Sequence, residues 1–183
     1  MVKELLSKTI VFKTKQLIIY IHPKMNRIMN RQVTILGPND KTTEMHGAGD
    51  IYRFLATGDQ TDGEYFLFEG IVPPGGGPLA HIQNREEEGF YILEGEVTFY
   101  TEGKEVVATA GTFLNIPKGV KHRFRNNSDK TAKMLLLFAP SGLENMFNEM
   151  GDREEEFANH PKGVLYALNE IGEAYGVEFF EKD

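Results

Sequence analysis

The sequence predicts an all-β fold, an antiparallel sandwich or barrel, followed by C-terminal helices. Short apolar runs separated by glycine and proline fill the middle of the chain, and no helical periodicity interrupts them. After Pro140 the apolar residues recur at helical spacing instead. The 13 Phe and 7 Tyr indicate a globular, strand-rich chain, because a disordered chain contains far fewer aromatic residues.

These patterns divide the 183 residues into three parts. Residues 1–30 form an N-terminal extension, either flexible or an added edge strand. Residues 31–140 form the barrel, which begins with a predicted strand at 31–38. Residues 141–183 form a helical segment that packs on the barrel through its apolar stripes.

Local signals place turns and helix ends within these parts. The glycines at Gly95 and Gly103 follow strand-like runs and predict two hairpin turns, because glycine accepts the positive φ of a tight turn. Ser141 and Glu144 have the spacing of a capping box at the start of a first helix. A second apolar stripe predicts another helix within residues 162–176.

Charge and composition exclude several classes of protein. Seven of the 20 basic residues but only one of the 27 acidic residues lie in residues 1–31, so the rest of the chain is strongly acidic. An acidic surface repels phosphates, and we therefore expect no nucleic-acid partner. No apolar run approaches the length of a membrane span, which predicts no membrane association and a cytoplasmic location. The absence of cysteine leaves only nitrogen and oxygen ligands for a metal.

Four potential metal ligands lie on neighbouring strand-like runs. His81 and Gln83 are two residues apart, so a strand directs both side chains to one face. Glu88 begins the next run, and His122 lies on a later one. Four inward donors in an apolar barrel are costly unless a metal or ligand satisfies them. The neighbouring Glu86 and Glu87 are interpreted as solvated charges at the rim.

Two motifs around these residues resemble those of the cupins, a family of small double-stranded β-helix or jelly-roll barrels. The first motif is represented by Gly75, His81, Gln83, Glu88 and Gly95. The second is represented by Gly111, Pro117, Gly119, His122 and Asn126. The first motif departs from the family at Gln83, where metal-binding cupins usually have a second histidine. The match predicts a cupin barrel.

The resemblance implies one divalent metal ion, Mn, Zn, Fe or Ni, held by His81, Gln83, Glu88 and His122. Glutamine is a neutral and weaker donor than imidazole, so it weakens the predicted binding. Among cupins the chain looks most similar to quercetin dioxygenase-like bacterial proteins, which implies a dioxygenase-like enzyme for an enediol or flavonol-type molecule. Glu88 would then be both ligand and catalytic proton acceptor.

Two other functions remain open at this point, a metal-dependent isomerase and a non-catalytic cupin that binds a small molecule. The family also implies a homodimer. Five phenylalanines are candidates for an apolar wall around the small-molecule ligand. They are Phe68, Phe90, Phe113, Phe124 and Phe138.

Overall fold

The computed structural model describes residues 10–13, 16–19, 32–47 and 49–181. The chain divides into two units, residues 1–31 and 32–183. In the first unit, strands β1 (Ile10–Lys13) and β2 (Gln16–Ile19) pair in antiparallel orientation. The rest of the predicted extension over 1–30 lies outside the described residues.

The described part of the second unit contains two antiparallel sheets. The spatial order of the first sheet is β10 (Phe113–Ile116), β7 (Glu87–Glu94), β12 (Ala132–Ala139), β5 (Phe66–Val72), β4 (Asp50–Ala56) and β3 (Glu44–Gly47). The order of the second is β13 (Val177–Phe180), β6 (Ala80–Gln83), β11 (His122–Arg125), β8 (Glu96–Thr101) and β9 (Lys104–Thr109). This arrangement of strands confirms the predicted all-β fold.

Phenylalanine rings fill the space between the sheets. Alternate residues of β5 and β12 are buried, as expected for strands with one face on a core. Phe66 and Phe138 are paired across these strands, and their stacked rings lie 5.9 Å apart. Phe68 lies 5.5 Å from Phe138 on the same inner face. Each such ring contributes roughly 1.5–3 kcal/mol on burial, so these strands define the core.

The two glycine turns have different structures. Glu102 and Gly103 adopt positive φ values of 47° and 72° in a two-residue turn that joins β8 to β9. This confirms one predicted hairpin. The hairpin predicted at Gly95 is wrong, because β7 and β8 belong to different sheets. Gly95, with φ 74°, instead carries the chain from one sheet to the other.

The strand predicted at residues 31–38 is also wrong. Residues 32–37 have no regular structure, and the side chains of Val33 and Ile35 are 86% and 82% exposed. A β-branched pattern forms a strand only when a neighbouring strand accepts its hydrogen bonds.

The C-terminal segment contains three helices and the last described strand. The helices are α2 (Glu144–Asp152), α3 (Glu154–Ala158) and α4 (Val164–Tyr175), after the short α1 (Gly58–Thr61) of the barrel. Both predicted helices are present, whereas α3 and β13 were not predicted. No helix of the described residues is long and apolar enough to cross a bilayer.

Helix α2 packs on the first sheet through Phe147. Its ring lies 5.3 Å from Phe68 and 6.0 Å from Phe138. The predicted capping box does not form, because the Glu144 carboxylate accepts hydrogen bonds from the backbone N–H groups of Gly142 and Gly58, each at 2.7 Å. Glu144 therefore connects the start of α2 to the barrel.

Candidate metal centre

Three strands bring the predicted ligands together inside the barrel. β6 carries His81 and Gln83, and β11 carries His122 directly opposite His81. Glu88 reaches them from β7 in the other sheet. Gly119, from the second motif, donates its backbone N–H to the Gln83 carbonyl at 2.7 Å. The motif loop thus fixes the end of the strand that carries two of the candidates.

Backbone carbonyls orient both histidine rings in the same way. The Nδ1–H of His81 donates to the carbonyl of Leu79 at 2.9 Å, and the Nδ1–H of His122 donates to that of Val120 at 3.0 Å. Because a carbonyl only accepts, these bonds place a proton on Nδ1 of each ring, so Nε2 is the atom that a neutral ring would offer to a metal. The 2.8 Å contact of His122 Nε2 with Glu88 Oε2 is a hydrogen bond, so a proton lies between these two atoms, and a metal ion would replace it. Both Nε2 atoms face Glu88, as metal-ligating imidazoles require.

The donor atoms of His81, Glu88 and His122 all lie within 4.8 Å of one another. The Glu88 Oε2 atom is 2.8 Å from His122 Nε2 and 4.0 Å from His81 Nε2. Burial, followed by the proximity of His122, lowers the pKa of His81 to about 4. Burial alone would lower the pKa of His122 as well, but the hydrogen bond to Glu88 and its charge raise it above its usual value.

Gln83 provides a test of whether these residues suit a metal. Its side chain is 4% exposed, and its Oε1 atom has no hydrogen-bond partner among the described residues. A buried carbonyl oxygen without a hydrogen-bond partner destabilises the folded protein by about 1–3 kcal/mol. A divalent cation would satisfy it, and one carboxylate, two imidazoles and one amide oxygen form a donor set that first-row divalent ions accept. The residues therefore fit a metal ion.

A cavity of about 440 Å³ opens onto this cluster. Its wall includes His81, Gln83 and Glu88, while most of the remaining lining residues are apolar. Three of the five predicted phenylalanines, Phe68, Phe124 and Phe138, lie in this wall.

The other two predicted phenylalanines do not line the cavity. Phe113 is 64% exposed, because its pairing with Tyr91 places it on the outer face of the first sheet. Phe90 points inward from the same strand as Glu88 but lies among packed rings, 4.8 Å from Phe99 and 6.0 Å from Phe124. It supports the wall, and its ring lies 6.2 Å from that of His122.

Two buried carboxyl groups near the site have perturbed pKa values. Glu86 is 4% exposed, so its interpretation as a rim charge is wrong, and burial raises its pKa to about 6. Glu86 directly precedes β7 and is buried, like Glu88 two residues later, whereas Glu87 between them stays partly exposed and accepts a hydrogen bond from Asn115.

The second buried carboxyl group is Asp50, which the sequence did not single out. It accepts a hydrogen bond from the hydroxyl of Tyr52 at 3.0 Å, and Tyr52 lines the cavity. Burial raises the pKa of Asp50 to about 7, and this effect outweighs the favourable hydrogen bond. Asp50 and Tyr52 are two residues apart at the start of β4, and this spacing, which places both side chains on one face of a strand, was the sequence pattern that could have indicated the pair.

Comparisons with known proteins agree with this architecture. Residues 68–138 match the family described as Cupin domain. Quercetin 2,3-dioxygenase from Bacillus subtilis (strain 168) is 32% identical over 105 residues, which represent 57% of this chain but only 31% of that protein. The protein named polyketide synthase CurC, from Streptomyces cyaneus, is 30% identical over 120 residues, or 63% of this chain and 73% of that protein.

A solved structure supports the fold separately. The RmlC-like cupin from Shewanella frigidimarina NCIMB 400 has a TM-score of 0.53 and 20% identity, with 63% of this chain and 98% of that chain covered. The two sheets, the two motifs and these relatives together show that the chain belongs to the cupin superfamily.

Proposed function

We propose that this chain is a metal-dependent cupin with dioxygenase-like activity on an enediol or flavonol-type small molecule. The observation that carries the proposal is the buried Gln83 oxygen near the cluster of His81, Glu88 and His122, because this oxygen has no hydrogen-bond partner in the part of the chain that the structure describes. The similarity to quercetin 2,3-dioxygenase supports the substrate class, although the chain spans less than a third of that protein.

The side chains have separable roles in this proposal. His81, Gln83, Glu88 and His122 would hold the ion, which when bound supplies a Lewis acid for a substrate oxygen. The Leu79 and Val120 carbonyls keep the imidazole Nε2 atoms directed at the site. Glu88 would accept the proton from the substrate hydroxyl, because its carboxylate lines the cavity at the cluster. The apolar wall would exclude water from the reacting atoms.

Two alternatives use the same cavity. A metal-dependent isomerase would move a proton beside a carbonyl without consuming dioxygen, and the neutral Gln83 suits such chemistry because it does not stabilise a higher oxidation state. A non-catalytic cupin would only bind its ligand, and it tolerates weak metal affinity. The relative named polyketide synthase adds polyketide-type molecules as a second candidate ligand class for the apolar wall.

Metal analysis of the purified protein by mass spectrometry tests the proposal. We expect close to one divalent ion per chain in the parent and a large loss in His122→Ala. His160→Ala is the matched control, since His160 stacks on Tyr166 away from the cluster and its loss should leave the metal content unchanged. Gln83→His should retain the ion at least as firmly as the parent.

The opposite pattern would identify a disabled site. If the parent stays empty after loading with Mn, Zn, Fe and Ni while Gln83→His fills, glutamine has abolished the centre and the non-catalytic function replaces the enzyme. With a metal present, oxygen uptake on addition of a flavonol supports the dioxygenase, and its absence with all enediol and flavonol substrates favours the isomerase or the binder.

We also propose that the protein forms a homodimer through the outer face of the first sheet. Four apolar side chains are exposed there, Tyr91, Leu93, Phe113 and Leu137, at 38–64%. A Cβ built on Gly89 would lie 3.5 Å from the Phe113 ring and 3.8 Å from Leu137, so these two side chains meet over the glycine. A contiguous apolar face of this kind is typical of an interface.

The molar mass of the protein, measured by light scattering as it elutes from a size-exclusion column, tests whether it is a dimer. Phe113→Glu should shift the mass from dimer to monomer, whereas Val107→Glu, at an exposed position of the other sheet, should not. A monomeric parent across a hundredfold concentration range would refute the interface. The cytoplasmic location and the absence of a nucleic-acid partner stay predictions from the sequence.

A further inference from the structure

The part of the chain beyond the matched cupin domain contributes a large share of the cavity wall. Of its 23 lining residues, ten lie between Leu143 and Phe179, whereas the domain match ends at residue 138. Nine of these residues belong to α2, α3, α4 and β13, and Leu143 directly precedes α2. Every one of the ten is apolar. We call them the C-terminal wall: Leu143, Met146, Phe147, Met150, Phe157, Ala158, Val164, Leu168, Val177 and Phe179.

Polar side chains of the cavity are concentrated in one place. His81, Gln83 and Glu88 belong to the metal-ligand cluster, and two further polar side chains line the space, Tyr52 and His46. The Tyr52 hydroxyl already donates to Asp50, and His46 is exposed. Away from the cluster, no buried side chain among the described lining residues therefore offers an unused hydrogen-bonding group to a ligand.

This distribution limits the ligands that the cavity accepts. A hydroxyl group that enters the C-terminal wall loses its water without gaining a side-chain partner, which is costly in protein interiors. Apolar ring surface gains from the same wall, and its Met146 and Met150 side chains adapt to ligand shape. A volume of about 440 Å³ accommodates a molecule of two or three rings.

We propose that the ligand of this cavity has an apolar aromatic body and carries its hydroxyl and carbonyl groups only at the end that meets the cluster. This inference deepens the proposed function and depends on it for the polar end of the ligand. Within the flavonol class, it selects molecules with an unsubstituted ring body and disfavours those with hydroxyl groups on every ring.

A matched pair of flavonols tests this selectivity. Apart from the ether oxygen of its ring, 3-hydroxyflavone has only the adjacent hydroxyl and ketone, whereas quercetin has the same skeleton with four further ring hydroxyls. Their binding is measured without dioxygen, so that no turnover occurs, on the full chain in its metal-loaded and chelator-treated forms. We expect 3-hydroxyflavone to bind at least about tenfold more tightly, because several hydroxyls of quercetin would be buried without a partner.

Variants of the C-terminal wall show whether it causes the preference. Phe157→Tyr and Met150→Gln each add one polar group, and either change should lower the ratio of the two affinities about threefold or more. Two variants are used so that the result does not depend on one of them if the other fails to fold. Val107→Gln is the control, since Val107 is 56% exposed on β9 and should leave the ratio unchanged.

The outcomes separate this inference from the metal proposal. Equal or tighter binding of quercetin by the parent, or no saturable binding of 3-hydroxyflavone, overturns the inference even when a metal is present. A chain that is empty of metal but still prefers 3-hydroxyflavone overturns the metal-dependent function and leaves the apolar-body ligand class standing. An affinity ratio that Val107→Gln lowers as much as the wall variants also counts against it.

Discussion

Replacement of Asp50 by Asn should change how the stability of the protein depends on pH. Asp50 is 1% exposed, and burial raises its pKa from 3.8 to about 7 in the folded chain. Below about pH 4 the Asp50 carboxyl group is protonated in both the folded and the unfolded chain, so it does not make the unfolding free energy depend on pH. As the pH rises toward 7, the unfolded chain loses this proton while the folded chain keeps it, so the unfolding free energy falls.

The magnitude follows from the two pKa values. Between pH 5 and pH 8 the parent should lose about 2–3 kcal/mol of unfolding free energy through this group, at 1.36 kcal/mol per unit of pKa difference. Asp50→Asn cannot ionise, and its side-chain oxygen still accepts the Tyr52 hydroxyl, so its stability should not show this loss. Urea unfolding of both proteins at the two pH values measures the difference.

A pH-independent difference between parent and Asp50→Asn would refute the reasoning. It would mean that the carboxyl group ionises in the folded chain as easily as in water, through solvent that reaches it or through stronger hydrogen bonds. The comparison within one pair of proteins cancels the contributions of Glu86 and other titrating groups, because both proteins contain them.

Two further substitutions test the backbone around the site. Gly77→Ala should lower the unfolding free energy by about 2–4 kcal/mol, since Gly77 has φ 126° and a Cβ there would overlap a backbone carbonyl of β11. Gly103→Ala is the control. Gly103 has φ 72° with open space around it, so this change should lower the unfolding free energy by only about 1 kcal/mol. Asn169→Ala should speed amide exchange across β13, because the Asn169 side chain bonds both the N–H and the carbonyl of Phe179, and Asn145→Ala should not. Similar unfolding free energies for the two glycine variants, or unchanged exchange in Asn169→Ala, would contradict these expectations.

Only part of the candidate metal-ligand cluster was predictable from local geometry. Strand alternation directs His81 and Gln83 to one side. His122 is distant from His81 in the sequence, and its position opposite His81 was expected from the resemblance of the two motifs to those of cupins. Other local patterns were sufficient for the hairpin at Gly103, where glycine accepts a positive φ, and for the apolar stripe that becomes α4.

The errors arise where a residue's position depends on a distant partner. Gly95 has the composition of a hairpin turn, but the choice of sheet for β8 depends on its pairing with β9 and β11. Phe113 faces outward because of its register with Tyr91, which no spacing along the sequence reveals. Burial of Asp50 beside the cavity likewise depends on the fold as a whole.

The last described strand, β13, connects the candidate metal-ligand cluster to the C-terminal wall. β6 has a single register pair with β11, but it has four with β13, including Val177 with Gln83 and Phe179 with His81. Without β13, the strand that carries two predicted ligands would be an edge strand with little to hold its register. The segment that makes the cavity apolar thus also positions His81 and Gln83. The side chain of Asn169 in α4 is hydrogen-bonded to the backbone of Phe179 in β13. A substitution that displaces α4 should therefore change both the metal affinity and the ligand selectivity.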